Sequence, residues 1–130
     1  MFTIQIPRHG KYETRHVEMI SKHDIITLLE QLDGVRDDPI CFNPNGDSES
    51  GLSILGGLDG QYVCEWITID GGSLLLKDGC QAASNHEVQV CGTDCCWYPV
   101  ETVVDASMAA DVILAMFKVK AQPLEFAWWT

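Results

Sequence analysis

The stretch 52–77 reads LSILGGLDGQYVCEWITIDGGSLLLK, and its punctuation decides the fold. Three strand-like runs, 52–58, 62–69 and 73–77, are separated by Asp59-Gly60 and Asp70-Gly71-Gly72, whose glycines suit tight hairpin turns. Connections this short leave no room for a helical crossover, so the three runs form an antiparallel meander. Strand periodicity puts Tyr62, Cys64 and Trp66 on one face of the middle run and Val63, Glu65 and Ile67 on the other.

Upstream, residues 37–51 turn to Asp, Pro, Asn, Gly and Ser, a long polar loop with a short apolar touch at 40–42. Before it, Ser21 and Asp24 have capping-box-like spacing, and Ile25, Leu28, Leu29 and Leu32 make one stripe of an amphipathic helix that Gly34 ends. Residues 2–6 and 14–20 alternate large and polar side chains around Pro7-Arg8-His9-Gly10, an opening hairpin.

Downstream, residues 87–91 alternate again, and Gly92-Thr93-Asp94 turns the chain into the run 95–99. Asp105 is placed to cap a second helix over 106–118, with Lys118 and Lys120 at its negative end. Ala109, Ile113, Met116 and Phe117 make one apolar stripe of it. Met108, Val112, Ala115 and Val119 make another, which predicts cover on two faces. Pro123 stops the helix, and 124–129 reads as a closing strand in which Trp128 is buried. Helices without regular βαβ alternation predict one α+β domain over 1–130, a mainly antiparallel sheet of about six to eight strands with two helices packed on it.

Composition fits that reading: 130 residues, 46% apolar and 21% charged, are those of an ordinary globular domain. Apolar runs are far shorter than the roughly 20 residues that span a bilayer, and the opening residues carry no apolar run behind a positive cluster. A cytoplasmic protein without a membrane role is expected. Six cysteines, Cys41, Cys64, Cys80, Cys91, Cys95 and Cys96, are then expected to be reduced.

Charge narrows the partners. Nineteen acids against eight bases give a net charge of −11, and between Lys22 and Lys77 the only base is Arg36, against ten acids. Such a field repels phosphate, which argues against direct nucleic-acid binding, and steers a basic partner inward. The blander reading is a solubilising surface.

Catalytic patterns are missing. The chain has no Gly-x-Ser-x-Gly, no phosphate loop, and no His-x-Glu followed by Pro-Cys-x-x-Cys. His9, His16 and His23 share no face, and the cluster of His86, Cys91, Cys95 and Cys96 lacks the paired spacing of a zinc site. No enzyme, cofactor or metal is expected. Adjacent cysteines on a strand point to opposite faces, so one of Cys95 and Cys96 is expected in the core and the other at the surface. Two alternatives use these features: a small Cys/His redox or metal module, and a self-assembling adaptor built on the all-round apolar second helix.

The C-terminal third carries a resemblance. Trp97-Tyr98-Pro99-Val100-Glu101, then Val103-Val104-Asp105 opening a helix that closes on Ala115-Met116-Phe117, then Gln122-Pro123-Leu124-Glu125-Phe126-Ala127-Trp128, resembles the closing segment of immunity-protein family one of bacterial polymorphic toxin systems, often encoded beside deaminase toxins. The meander fits the same pattern loosely, so the resemblance spans roughly 52–128. Members often turn through a glycine or polar pair after the helix phenylalanine, whereas Val119-Lys120-Ala121 stands here.

The resemblance implies a cytoplasmic bacterial protein without catalytic residues. It would bind the C-terminal domain of a cognate toxin, basic and acting on nucleic acid as a cytosine deaminase, and occlude its active site; a homodimer when free is compatible with that role. Acids and aromatics on the meander and its turns are the expected contacts: Asp59, Glu65, Trp66, Asp70, Asp78, Trp97 and Tyr98, with Asp37, Asp38, Asp47 and Glu49 on the loop as a second set. Trp66 belongs here on the expectation that the Tyr62, Cys64, Trp66 face is exposed.

Overall fold

Alternation in residues 2–17 builds the first hairpin, β1 (Phe2–Arg8) and β2 (Lys11–Val17), whose register runs from Phe2 opposite Val17 to Arg8 opposite Lys11. Pro7 and Arg8 therefore belong to the strand and not to the turn. The computed structural model describes residues 2–8, 10–35, 37–44, 50–77 and 87–129.

Helix α1 (Lys22–Glu30) starts where its cap predicts: the Ser21 hydroxyl accepts the Asp24 amide at 3.1 Å. Its stripe of Ile25, Leu28 and Leu29 is buried. The apolar touch in the polar loop is a full strand, β3 (Ile40–Asn43), which pairs with β1 on one side and β4 (Gly51–Gly56) on the other. Three apolar letters between Asp, Pro and Asn read as loop because the strand is short and its support is entirely tertiary; Ile40 and Phe42 are fully buried.

The meander follows as β4, β5 (Tyr62–Ile67) and β6 (Ser73–Leu76), antiparallel throughout. The first turn is wider than a two-residue loop. Gly57 has φ +121° and lies so close to the Leu32 carbonyl that a Cβ would stand 2.1 Å from its oxygen, after which Leu58–Gly60 makes a single 3-10 turn.

The next two strands, β7 (Glu87–Cys91) and β8 (Cys95–Pro99), form a separate two-stranded sheet. A two-residue β9 (Val103–Val104) pairs with the Tyr62 end of β5. Helix α2 (Ala106–Val119) is capped by Asp105, whose carboxylate accepts the Met108 amide at 2.8 Å. Only β10 (Trp128–Trp129) remains of the expected strand over 124–129, because Leu124 and Glu125 lie in a turn after Pro123. Trp128 is half-buried against the core and donates its indole N–H to the Pro123 carbonyl at 3.0 Å.

Among the described residues the main sheet runs β10-β6-β5-β4-β3-β1-β2, with β9 as an eighth strand beside β5. Both helices contribute to one core with Phe2, Ile4, Phe42, Ile54, Tyr62, Trp66 and Leu76, and Phe117 stacks on Phe2 at 4.0 Å between ring centroids. The fold is α+β with a mainly antiparallel sheet, as the sequence predicts. The second apolar stripe of α2 is less covered than expected: Val112 is buried, but Val119 is 51% exposed. Lys22 and Asp111, paired at 2.8 Å, tie α1 to α2 at their surface.

Candidate functional site

Two faces of the sheet have different fates. Tyr62, Cys64 and Trp66 point into the helix-side core, and the Tyr62 hydroxyl donates to the Leu29 carbonyl at 2.9 Å. Trp66 is only 6% exposed. The expected exposed aromatic patch on that face is corrected: both helices pack there and claim the larger apolar side chains. Trp66 is a core residue and not a contact residue.

The opposite face carries Val63, Glu65 and Ile67 of β5. Strand register lines up Gln5, Cys41, Ser53, Glu65 and Leu75 as successive cross-strand partners, one row across β1, β3, β4, β5 and β6. A shallow pocket of about 120 Å³ opens in this face, lined by Gln5, Cys41, Asn43, Gly51, Ser53 and Ile67 among others. Burial pushes the Cys41 thiol up, with the Ser53 hydroxyl bond acting in the opposite sense.

The β7–β8 hairpin approaches this face from one end. Gly92 packs against Leu55 and the Asp37 carbonyl, and the Thr93 hydroxyl donates to Asp38 at 2.7 Å. Alternation then splits the two aromatic residues of β8. Tyr98 shares a face of the hairpin with Cys96 and Val90 and lies close enough to Glu65 to feel its charge; desolvation first, then Cys96 and Glu65, raises its hydroxyl to about 12. Trp97 points the other way and is 63% exposed.

Glu65 stands near the middle of the helix-free side. Its carboxyl is half-buried, burial alone raises its pKa, and no base among the described residues lies within ion-pair distance. The remaining predicted contacts scatter. Asp59 is exposed with φ 56°, at the far end of the meander turn. Asp70 is exposed and accepts from the Thr68 hydroxyl and, at 3.2 Å, from the Gly72 amide; the Thr68 bond first, then that amide, holds its carboxyl below the usual range. Asp37 accepts the Asp33 amide at 3.2 Å and donates its own amide to the Asp33 carboxylate, so it braces the loop. Asp78, Asp47 and Glu49, like His86, lie outside the described residues.

The geometry thus brings Glu65 and Tyr98 together, sets Asp38 against the hairpin turn, and separates Glu65 and Tyr98 from Trp66 and Trp97. Sequence reasoning missed Gln5, Cys41 and Ser53. Their signal was the register: once β3 is placed between β1 and β4, these three fall in one row with Glu65.

Cysteine chemistry also differs from expectation. Cys91 and Cys95 are directly opposite in the hairpin, 4.1 Å apart at Cα, and form a disulfide. All six thiols are expected to be reduced; the hairpin register sets this pair opposite each other with three residues between them, and the structure joins them. Cys95 and Cys96 do point to opposite faces, but both are exposed, so neither fills the core. Cys64 is the fully buried free thiol. No group of three or more His, Cys, Asp or Glu side chains among the described residues is arranged to hold a metal. No helix among them is long and apolar enough to cross a membrane.

No protein-family model matches the chain, and no curated protein matches it as a relative. The fold is similar to a crystal structure of a hypothetical protein from Neisseria gonorrhoeae, with 17% identity over 93% of this chain and 90% of that one and a TM-score of 0.51. That likeness is one of architecture.

Proposed function

We propose that the protein is an immunity protein that binds a bacterial toxin domain, a nucleic-acid deaminase, and occludes its active site with the helix-free side of the sheet around Glu65 and Tyr98. The observation that carries this reading is the half-buried Glu65 carboxyl beside Tyr98, without an ion-pair partner among the described residues, on a sheet face that neither helix covers. A carboxyl desolvated without a counter-charge is costly for the free protein. A lysine or arginine brought in by a partner removes that cost, and the aromatic ring beside it supplies apolar contact.

The net charge of −11 steers a basic surface toward this side, and a domain that acts on nucleic acid is basic where it holds phosphate. The resemblance of the segment 97–128 to immunity-protein family one names the class of partner. Binding then protects by excluding the extruded or single-stranded nucleotide that a deaminase must admit.

Titration of the adjacent-gene toxin domain with Glu65→Gln and Tyr98→Ala tests the site. Each is expected to weaken binding by about 2 kcal/mol, the usual cost at a hot spot. If both change affinity by less than ~0.5 kcal/mol, the interface lies elsewhere.

A further inference from the structure

Among the described residues, strand β2 is an edge of the main sheet. Its inner side pairs with β1 from Lys11 to Val17, and no described strand pairs its outer side. Arg8 and Lys11 flank a two-residue loop, and the pair that closes such a hairpin is hydrogen-bonded. Alternation from that pair turns the amides and carbonyls of Tyr12, Thr14 and His16 outward. Seven residues of backbone with a free edge are a template for another strand.

The sequence of β2 specifies which strand. Its charges are antisymmetric about Thr14: Glu13 precedes it and Arg15 follows. We propose that two copies of the chain pair through β2, antiparallel about a twofold axis at Thr14, and join their sheets into one. In that register Glu13 faces Arg15 of the second copy twice over, and Tyr12 faces His16 twice over.

The backbone and the charge pattern of β2 agree on this register. Thr14 has its own amide and carbonyl on the open edge, so the central pair is a hydrogen-bonded one, and the two Glu–Arg pairs fall at the non-bonded positions, where side chains come closest. Moving the axis by one residue either way sets Glu13 against Glu13 or Arg15 against Arg15, so like charges oppose every neighbouring register. Glu13 and Arg15 already form an ion pair within the strand, so pairing two copies places four alternating charges on one face.

The choice of a second copy rests on the antisymmetric charges of β2, and long-range charge bears only on which surface two copies can share. Two chains of net charge −11 repel. Residues 2–17 carry Arg8, Lys11 and Arg15 against the single acid Glu13, so this edge does not share the negative excess of the rest of the chain. It is also clear of the Glu65 side: β5 lies four strands from β2, roughly 19 Å at the usual inter-strand spacing.

Sedimentation of the full chain over a concentration series tests the pairing. The parent protein is expected to approach twice its 14.4 kDa mass. Glu13→Arg and Arg15→Glu are each expected to be monomeric with an unchanged far-UV spectrum. An equimolar mixture of the two is expected to regain the dimer mass, because one strand then offers two bases and the other two acids at the paired positions. A parent that stays monomeric throughout overturns the proposal, and so does a dimer that survives either substitution or a mixture that fails to associate. A dimer built instead on the exposed side of α2 gives the second of these results.

Discussion

Consecutive side chains of β5 leave the sheet on opposite sides, so Trp66 enters the core while Glu65 faces the helix-free side. Their substitutions should separate accordingly. Trp66→Ala removes a buried ring and is expected to cost about 3–5 kcal/mol in urea unfolding, whereas Trp97→Ala, on an exposed ring, stays within about 0.5 kcal/mol. Glu65 predicts a dependence on pH. Burial raises its folded-state pKa above the unfolded value, so the folded protein holds that proton more tightly than the unfolded chain. The stability this contributes is fully present below the unfolded value of about 4.3 and is lost as pH rises through the folded one. Glu65→Gln, with no charge to desolvate, should match the parent below that lower limit and exceed it in stability at neutral pH. An equal difference at both would contradict the burial argument. Alternation within the run 62–67 was legible from the letters; which face the helices would cover was not, because both faces carry apolar residues and only tertiary packing chooses between them.

Elements with strong local chemistry were readable and those held by distant partners were not. Ser21 and Asp105 cap helices in the structure as they do in the sequence, because a cap is settled within four residues. Strand β3 was hidden for the opposite reason: its backbone is satisfied by β1 and β4, the nearer ends of which lie over thirty and eight residues from Ile40 and Asn43. Once β3 is missed, the row of Gln5, Cys41 and Ser53 beside Glu65 cannot be seen. The end of α2 shows another limit. Pro123 is expected to stop it, but the helix closes at Lys120 in the left-handed region, φ 57°, with the Lys120 amide on the Met116 carbonyl at 2.7 Å. A left-handed residue with a Cβ is strained where glycine is not. Lys120→Gly is therefore expected to stabilise the protein by up to about 1 kcal/mol, read as a higher urea midpoint at unchanged slope, and a lower midpoint would show that the Lys120 side chain contributes more than its backbone strain costs.

At the scale of the molecule, and among the described residues, one layer of helices covers one side of the sheet and the β7–β8 hairpin approaches the other from one end. Fold class followed from the order of runs and turns, since antiparallel meanders and capped helices leave few arrangements. The acidic character followed from composition, but its distribution did not: Asp37 and Asp70 brace a loop and a turn, and Asp59 sits apart, which leaves Glu65 as the expected contact on the sheet face itself. The proposed immunity role would use that side. That proposal is tested most directly by titration calorimetry of the intact protein against a cognate C-terminal deaminase toxin domain, at low and at raised salt, with the toxin's activity followed in the same samples. The account predicts nanomolar binding that weakens as salt rises and abolishes activity, since a basic partner meeting an acidic face is screened by ions. No binding at either salt concentration would contradict it.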